Sequence, residues 1–146
     1  MKKELCESLN KYLANAGVMY IKLHNLHWNV VGLNFKAVHE YLETLYDGFA
    51  DVLDEIAEAI KMQGGYPLAS MKDYLGATGI SEIESKEYTV KDTLTTVYAD
   101  IKLMTQQAEA IRKEAGDDDN YPITTMLESH LENFNKTLWF LDSMMK

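Results

Sequence analysis

The fold is decided by residues 38–60, which read VHEYLETLYDGFADVLDEIAEAI. Their apolar side chains recur at steps of three and four residues, the spacing that collects side chains on one face of an α-helix. These apolar positions are Val38, Leu42, Leu45, Phe49, Val52, Ile56 and Ile60. Asn34 is suited to capping such a helix, and the pair Gly64-Gly65 ends it before Pro67. This stretch therefore predicts a long helix that buries one face against its neighbours.

Two further stretches with the same period lie on either side of this helix. The first runs from about Lys3 to Val31, where Gly32 ends it. The other begins at Thr89, which together with an aspartate three residues later resembles a capping box, and runs to about Ala115. Each of them predicts another long helix.

The last long helix is expected from about Tyr121 to Met145, after an acidic turn formed by residues 116–119. Between Tyr66 and Tyr88 the helical period is lost, with one short helix expected around Ala69–Leu75. Four long helices whose middle pair is joined by a long crossover are typical of the ferritin-like four-helix bundle. We therefore predict an all-α, ferritin-like fold, formed by residues 1–146 as a single domain, with a short extra helix in the crossover. A cytokine-like or scaffold bundle would give the same pattern, so topology alone assigns no function.

Composition limits the classes of function. The formal net charge of −9 opposes binding to a phosphate backbone and favours attraction of cations. The single cysteine, Cys6, cannot form an internal disulfide, which suits a reducing cytoplasm. No stretch approaches the length of a membrane span, and the opening residues carry Glu4 and Glu7 rather than an apolar signal segment. We expect a soluble, cytoplasmic protein that does not bind membranes.

The second helix carries a polar face in addition to its apolar one. His39, Glu43, Asp54 and Glu58 point about 130° away from the apolar stripe, at about 100° per residue. His39 and Glu43 are four residues apart, as are Asp54 and Glu58, so each pair can direct its side chains at one point. Imidazole nitrogen and carboxylate oxygen together are ligands suited to iron or zinc. The alternative is a solvated acidic face: the histidines shift the balance towards metal, and spacing alone leaves the two interpretations about equal.

Distance along the helix prevents the two pairs from closing on one ion. Glu43 and Asp54 are separated by about 16 Å of helix axis, whereas metal–ligand bonds are on the order of 2 Å. Each pair is therefore a half-site. A second copy packed antiparallel about a two-fold axis would bring the first pair of one chain against the second pair of the other, giving two identical sites per dimer.

The remaining histidines extend or limit this hypothesis. His27, near the end of the first helix, can add a nitrogen ligand, which would place Trp28 close to the metal. His24 is expected either in the core, which we favour, or behind the metal ligands, and His130 is expected at the surface or at an interface. No histidine has a glutamate three residues before it, which argues against the di-iron site that ordinary ferritin-like bundles build within one chain.

These residues resemble the signature of the Dps proteins, the mini-ferritins, over nearly the whole chain. The matching positions are His27-Trp28-Asn29, Gly32, Asn34-Phe35, His39-Glu40, Asp54, Glu58, Gly64-Gly65 and Leu138-Trp139-Phe140-Leu141. The resemblance implies a hollow homododecamer with ferroxidase sites at its two-fold interfaces. Such sites oxidise Fe(II), preferentially with hydrogen peroxide and otherwise with O2, and Fe(III) mineral is stored in the cavity.

Carried across by position, the resemblance assigns His27, His39 and Glu43 to one subunit's share of the site, and Asp54 and Glu58 to that of its mate. It also places Trp28 beside the site, where it takes part in electron transfer. Glu43 departs from the aspartate that is usual there, and we expect altered affinity for metal.

Two further expectations follow from departures near the chain ends. The turn before the last helix is longer than usual for the family, so Thr125 falls where an acidic residue often guides iron inward. Residues 117–119 could take that role instead, but a solvated acidic turn is the interpretation we favour for them. Lysine-rich tails that bind DNA in some members are reduced here to Lys2, Lys3 and Lys146, so we expect no DNA binding. The alternatives are a DNA-protecting cage with little ferroxidase activity, a helical adaptor, and a cage selective for Zn or Mn.

Overall fold

The computed structural model describes all 146 residues and is almost entirely helical. The elements in chain order are α1 (Lys3–Asn29), β1 (Val30–Val31), α2 (Phe35–Met62), α3 (Met71–Ala77), β2 (Tyr88–Thr89), α4 (Val90–Asp117) and α5 (Tyr121–Met145). Four of the helices are long, and the short α3 lies in the crossover between α2 and α4. The prediction of an all-α, ferritin-like bundle with a short helix in the crossover is confirmed.

The bundle consists of two helical hairpins, α1 with α2 and α4 with α5, joined chiefly by contacts between α1 and α4. The predicted apolar stripes supply its core. Val38, Leu42, Phe49, Ile56 and Ile60 of α2 are buried. Leu45 and Val52 are half-buried, because α2 and α5 approach each other at few points and leave a groove between them. No helix is both long and apolar enough to cross a membrane.

Three predicted boundaries differ from the structure. The first helix ends at Asn29 rather than Val31, because the two valines pair in parallel with Tyr88–Thr89. The short helix lies two residues later than expected, after Ser70, whose hydroxyl accepts a hydrogen bond from the Asp73 amide. The acidic turn is shorter than predicted, since α4 continues to Asp117 and the chain reverses only after it.

Two helices begin where the sequence predicts, but only one of them has the predicted side-chain cap. The Thr89 hydroxyl accepts the Asp92 amide at 3.0 Å, as a capping residue should. Asn34 precedes α2 as expected, but its side chain makes no capping hydrogen bond and its φ of 68° is left-handed. Together with Gly32, at φ 112°, it reverses the chain between α1 and α2. This tight reversal places the end of α1 directly beside the start of α2.

The crossover is held against α1 by buried polar contacts. Nζ of Lys22 donates to the Ser81 carbonyl at 2.6 Å and pairs with Asp100 of α4 at 2.7 Å. Burial raises the pKa of the Asp100 carboxyl, and the hydrogen bond and charge of Lys22 oppose that rise. The side chain of Asn15 also accepts hydrogen bonds from Thr78 and Gly79. These contacts fix the path of the long connection.

Candidate metal centre

The tight reversal after α1 brings His27 and His39 together. Their rings stack with centroids 3.7 Å apart and planes 13° apart. Nδ1 of His27 lies 2.6 Å from the His39 carbonyl oxygen, and Nδ1 of His39 lies 2.6 Å from the His27 carbonyl oxygen. The two residues therefore fix each other's orientation.

This reciprocal contact determines which nitrogen of each ring is available. A carbonyl oxygen only accepts hydrogen bonds, so both Nδ1 atoms carry the hydrogen and donate. In a neutral imidazole the other nitrogen, Nε2, then has a free lone pair, which is the arrangement of most histidines that ligate metals. His27 is buried and His39 is half-buried. Each ring of the pair thus keeps one nitrogen whose lone pair is available to a metal ion.

Glu43 lies one turn further along α2 and is held by a neighbouring phenol. The hydroxyl of Tyr46 donates to Oε1 of Glu43 at 3.1 Å. Partial burial raises the pKa of Tyr46, and the hydrogen bond and charge of Glu43 raise it further. The side chain of Glu43 is exposed, and its second oxygen makes no hydrogen bond.

Tyr46 also joins His24 to the centre. The His24 ring stacks on Tyr46 with centroids 3.7 Å apart, and Tyr46 meets His27 edge-on at 5.2 Å. Nδ1 of His24 donates to the Tyr20 carbonyl oxygen at 2.6 Å. Of the two positions expected for His24, the core position is not the one found, since its ring is half-buried and stacks on Tyr46, which in turn contacts His27.

Asp54 and Glu58 lie on the distal half of α2, away from the histidines. Both side chains are exposed, and neither makes a hydrogen bond or ion pair. No group of three or more His, Cys, Asp or Glu side chains within the single chain is arranged to hold a metal ion. One molecule thus pairs His27 with His39, relates Glu43 to His27 only through Tyr46, and leaves the two distal carboxylates without a partner.

Exposed apolar side chains surround the histidine pair. Trp28 is 68% exposed and Leu33 is 88% exposed. Phe35 stacks on the outer side of the His39 ring, with centroids 5.1 Å apart. Large exposed apolar side chains grouped in this way are typical of a surface that another molecule covers.

The prediction that His130 lies at the surface or at an interface is wrong. Its side chain is 2% exposed, and Nε2 lies 2.8 Å from Oε2 of Glu55 on α2. On the other side of the ring, Nδ1 lies 3.1 Å from the hydroxyl of Tyr12 on α1. The helical spacing could have revealed this position, because His130 is three residues after Leu127 and four before Phe134, both of which are buried.

Comparisons with known proteins find the same family over nearly the whole chain. A family model for the ferritin-like domain matches residues 6–146. Antigen TpF1 of Treponema pallidum is 37% identical over 145 residues, covering 97% of this chain and 80% of that protein. DNA protection during starvation protein 2 of Bacillus anthracis is 35% identical over 141 residues, covering 97% of this chain and 96% of that protein.

Solved structures give the same result. The crystal structure of TpF1 matches with a TM-score of 0.96 at 34% identity, covering 98% of this chain and 92% of that chain. A Dps protein from Vibrio cholerae O1 matches with a TM-score of 0.94 at 25% identity, covering 99% of this chain and 90% of that chain. The latter is described as a member of a broad superfamily of ferritin-like diiron-carboxylate proteins.

Proposed function

The chain belongs to the Dps family of ferritin-like proteins, and on that premise we propose that it is a ferroxidase and iron-storage subunit that protects against oxidative stress. Its substrate is Fe(II), and its oxidant is hydrogen peroxide, with O2 as the slower alternative. The observation that carries the proposal is the stacked pair of His27 and His39, whose Nδ1 hydrogen bonds leave both Nε2 atoms free.

The site is completed by a second copy of the chain. His27, His39 and Glu43 of one subunit face Asp54 and Glu58 of its mate across a two-fold axis, and the operation repeats to give two sites per dimer. Two observations support this arrangement: the exposed, unpaired distal carboxylates and the exposed apolar side chains around the histidines. Further association of such dimers gives a homododecamer with a cavity for the ferric product.

The chemistry needs little from the protein beyond binding and orientation. Each Fe(II) gives up one electron, and one peroxide accepts two as its O–O bond breaks, leaving two hydroxide ions. Mixed nitrogen and oxygen ligands can hold iron in both oxidation states, and the same ligands also accept Zn or Mn. Trp28, beside His24 and exposed at the rim, lies where an electron could leave or enter the site. Removing iron and peroxide together would limit hydroxyl-radical formation.

A DNA-protecting cage with little ferroxidase activity is the second candidate, favoured by the name of the Bacillus anthracis relative. Two observations oppose it. The net charge is −9, and the ammonium group of Lys2 is engaged by Asp118. A gel-shift assay at moderate salt, run beside an iron-oxidation assay, distinguishes the two candidates.

The decisive experiment uses subunit mixing. His39→Ala and Asp54→Ala should each abolish most peroxide-driven Fe(II) oxidation, because each breaks every site in a homodimer. Subunits of the two variants, mixed before assembly, should recover roughly a quarter of the wild-type sites, since half the dimers are mixed and each mixed dimer keeps one intact site. Asp51→Ala, which removes another exposed carboxylate of α2, is the matched control and should oxidise iron normally. A mixture no more active than its parents would contradict a shared site.

A further inference from the structure

Three side chains from three helices form a hydrogen-bonded chain that the proposed iron site does not use. The hydroxyl of Tyr12 on α1 lies 3.1 Å from Nδ1 of His130 on α5. Nε2 of His130 lies 2.8 Å from Oε2 of Glu55 on α2. Tyr12 is 0% exposed, whereas the side chain of Glu55 is 54% exposed. The chain therefore leads from the centre of the core to the surface of α2.

The outer end of this chain lies close to the proposed iron ligands. Glu55 follows Asp54 directly in the sequence, and it lines the same surface cavity as Glu58. The inner end is shielded, because the Tyr12 ring and the His130 ring are both almost fully buried. A group in the core is thus connected to the neighbourhood of the site through one imidazole.

Chemistry fixes the direction of each hydrogen bond. A carboxylate only accepts, so Nε2 of His130 carries the hydrogen and donates to Glu55. In the neutral ring Nδ1 is then an acceptor, and the Tyr12 hydroxyl donates to it. The Tyr12 hydroxyl therefore donates its proton towards the His130 imidazole, and the negatively charged Glu55 carboxylate lies on the other side of that ring.

This arrangement leaves the Tyr12 proton only one route. Burial raises the pKa of Tyr12, and the charge of Glu55 raises it further, so the phenol stays protonated at neutral pH. Water does not reach the ring. Removing an electron from a phenol makes its proton strongly acidic, and His130 is the acceptor already in place.

We propose that Tyr12 is a redox-active tyrosine that traps one-electron oxidants formed when peroxide meets a single Fe(II), with His130 as its proton acceptor. Glu55 stabilises the imidazolium that results. The inference rests on the proposed ferroxidase function, which supplies the iron and the peroxide. It adds a protective activity to the proposed reaction, in which one peroxide takes two electrons from two Fe(II) ions.

The electrons and protons balance in two steps. One Fe(II) and one peroxide give Fe(III), hydroxide and a hydroxyl radical. The hydroxyl radical takes an electron from Tyr12 and becomes hydroxide, while the phenolic O–H bond breaks and its proton moves to Nδ1 of His130. A second Fe(II) then returns an electron to the tyrosyl radical, and the proton moves back. The sum is two Fe(II) and one peroxide converted to two Fe(III) and two hydroxide ions, with no free radical remaining.

Electron paramagnetic resonance of the assembled protein tests this proposal. Fe(II) is added at less than one ion per subunit, peroxide follows, and samples are frozen at intervals. The wild type should give a neutral tyrosyl radical signal that is lost in Tyr12→Phe. Tyr98→Phe is the matched control, because it removes a half-buried hydroxyl that makes no hydrogen bond, and it should keep the signal. A wild-type signal that persists in Tyr12→Phe overturns the proposal.

A second variant separates the proton acceptor from the phenol. The amide of His130→Gln can still donate to Glu55 but offers no base to Tyr12. Its radical signal should be lost although the tyrosine remains, and circular dichroism checks that the bundle is folded. A full signal in folded His130→Gln contradicts the assigned role of the imidazole.

An iron-free arm distinguishes failure of this inference from failure of the proposed function. A photochemically generated ruthenium one-electron oxidant replaces iron and peroxide, and the same Tyr12-dependent signal is expected. If that signal forms while the protein does not oxidise Fe(II), the ferroxidase proposal fails and the redox-active tyrosine stands. If Fe(II) is oxidised but neither arm gives a Tyr12-dependent radical, the redox-active tyrosine is overturned and the ferroxidase stands.

Discussion

At the scale of single residues, the orientation of two imidazole rings determines which of their nitrogens are available to a metal ion in the proposed site. His27 and His39 each donate through Nδ1 to the backbone of the other, so neither ring is free to turn. Holding a ligand in its bound orientation before the ion arrives lowers the entropy that binding must overcome. His24 also donates through Nδ1, to the Tyr20 carbonyl, but its ring stacks on Tyr46 rather than on either histidine of the pair.

This difference predicts opposite behaviour for two neighbouring histidines. His27→Gln should lose most of the affinity for Co(II), used here as a spectroscopic probe of the site, because a nitrogen ligand is removed. His24→Gln, three residues earlier on the same helix, should keep it. Titration of the assembled protein followed by the absorption of bound Co(II) measures both. Equal losses in the two variants would refute the assignment of His27.

Some of these residues could be predicted from the sequence and some could not. The placing of His39 and Glu43 on one face of α2 follows from helical period alone. The stacking of His27 on His39 does not, because it depends on the left-handed turn at Gly32 and Asn34. The surface position predicted for His130 follows from its polar side chain alone. Its spacing from the buried Leu127 and Phe134 predicts the core instead.

At the scale of elements, the local apolar pattern of a long helix determines which face is buried. Where the helix ends can depend on contacts with residues far along the chain. The stripe of α2 fixes which side is buried. The end of α1 depends instead on Val30 and Val31, which pair with Tyr88 and Thr89 far along the chain. Such non-local pairing leaves no periodic signal, so the predicted boundary was two residues too late.

The short helix α3 packs closely against α1 at Gly17, which has no side chain. A Cβ added at Gly17 would lie 2.8 Å and 2.9 Å from two ring carbons of Tyr74. Gly17→Ala should therefore push α3 away, so that amide hydrogen exchange becomes faster in residues 71–77. Helix propensity would at the same time add up to about 1 kcal/mol to the free energy of unfolding.

Gly48→Ala provides the control for this prediction. Its added Cβ meets nothing within 4 Å, so the variant should gain a similar stability on α2 without changing exchange in α3. Unchanged protection of α3 in Gly17→Ala would show that the Tyr74 ring can move aside without the helix.

At the scale of the whole molecule, the proposed site needs a second copy of the chain, because Glu43 and Asp54 are too far apart along one helix. Helical geometry predicts this from their spacing alone. The surface that the second copy would cover could not be predicted, because the exposure of Trp28 and Leu33 depends on how the turn after α1 projects them.

Leu33→Asp tests whether the exposed apolar surface formed by Trp28, Leu33 and Phe35 is an assembly surface. A carboxylate buried at an interface without a partner is strongly unfavourable, so the variant should assemble into smaller species and lose iron oxidation in parallel. Sedimentation velocity and the oxidation rate measure the two effects. Ser85→Asp adds the same charge at an exposed crossover position and should leave both unchanged. A Leu33→Asp protein with wild-type mass and rate would place the interface elsewhere.

The reciprocal contact between His27 and His39 has a consequence for how the sequence of this protein can change in evolution. Each ring is oriented by the main chain of the other residue and rests against the other ring. A lineage that replaces one histidine removes the ring against which the other rests, together with one of the two proposed nitrogen ligands. The two positions should consequently be conserved together wherever the metal centre is conserved.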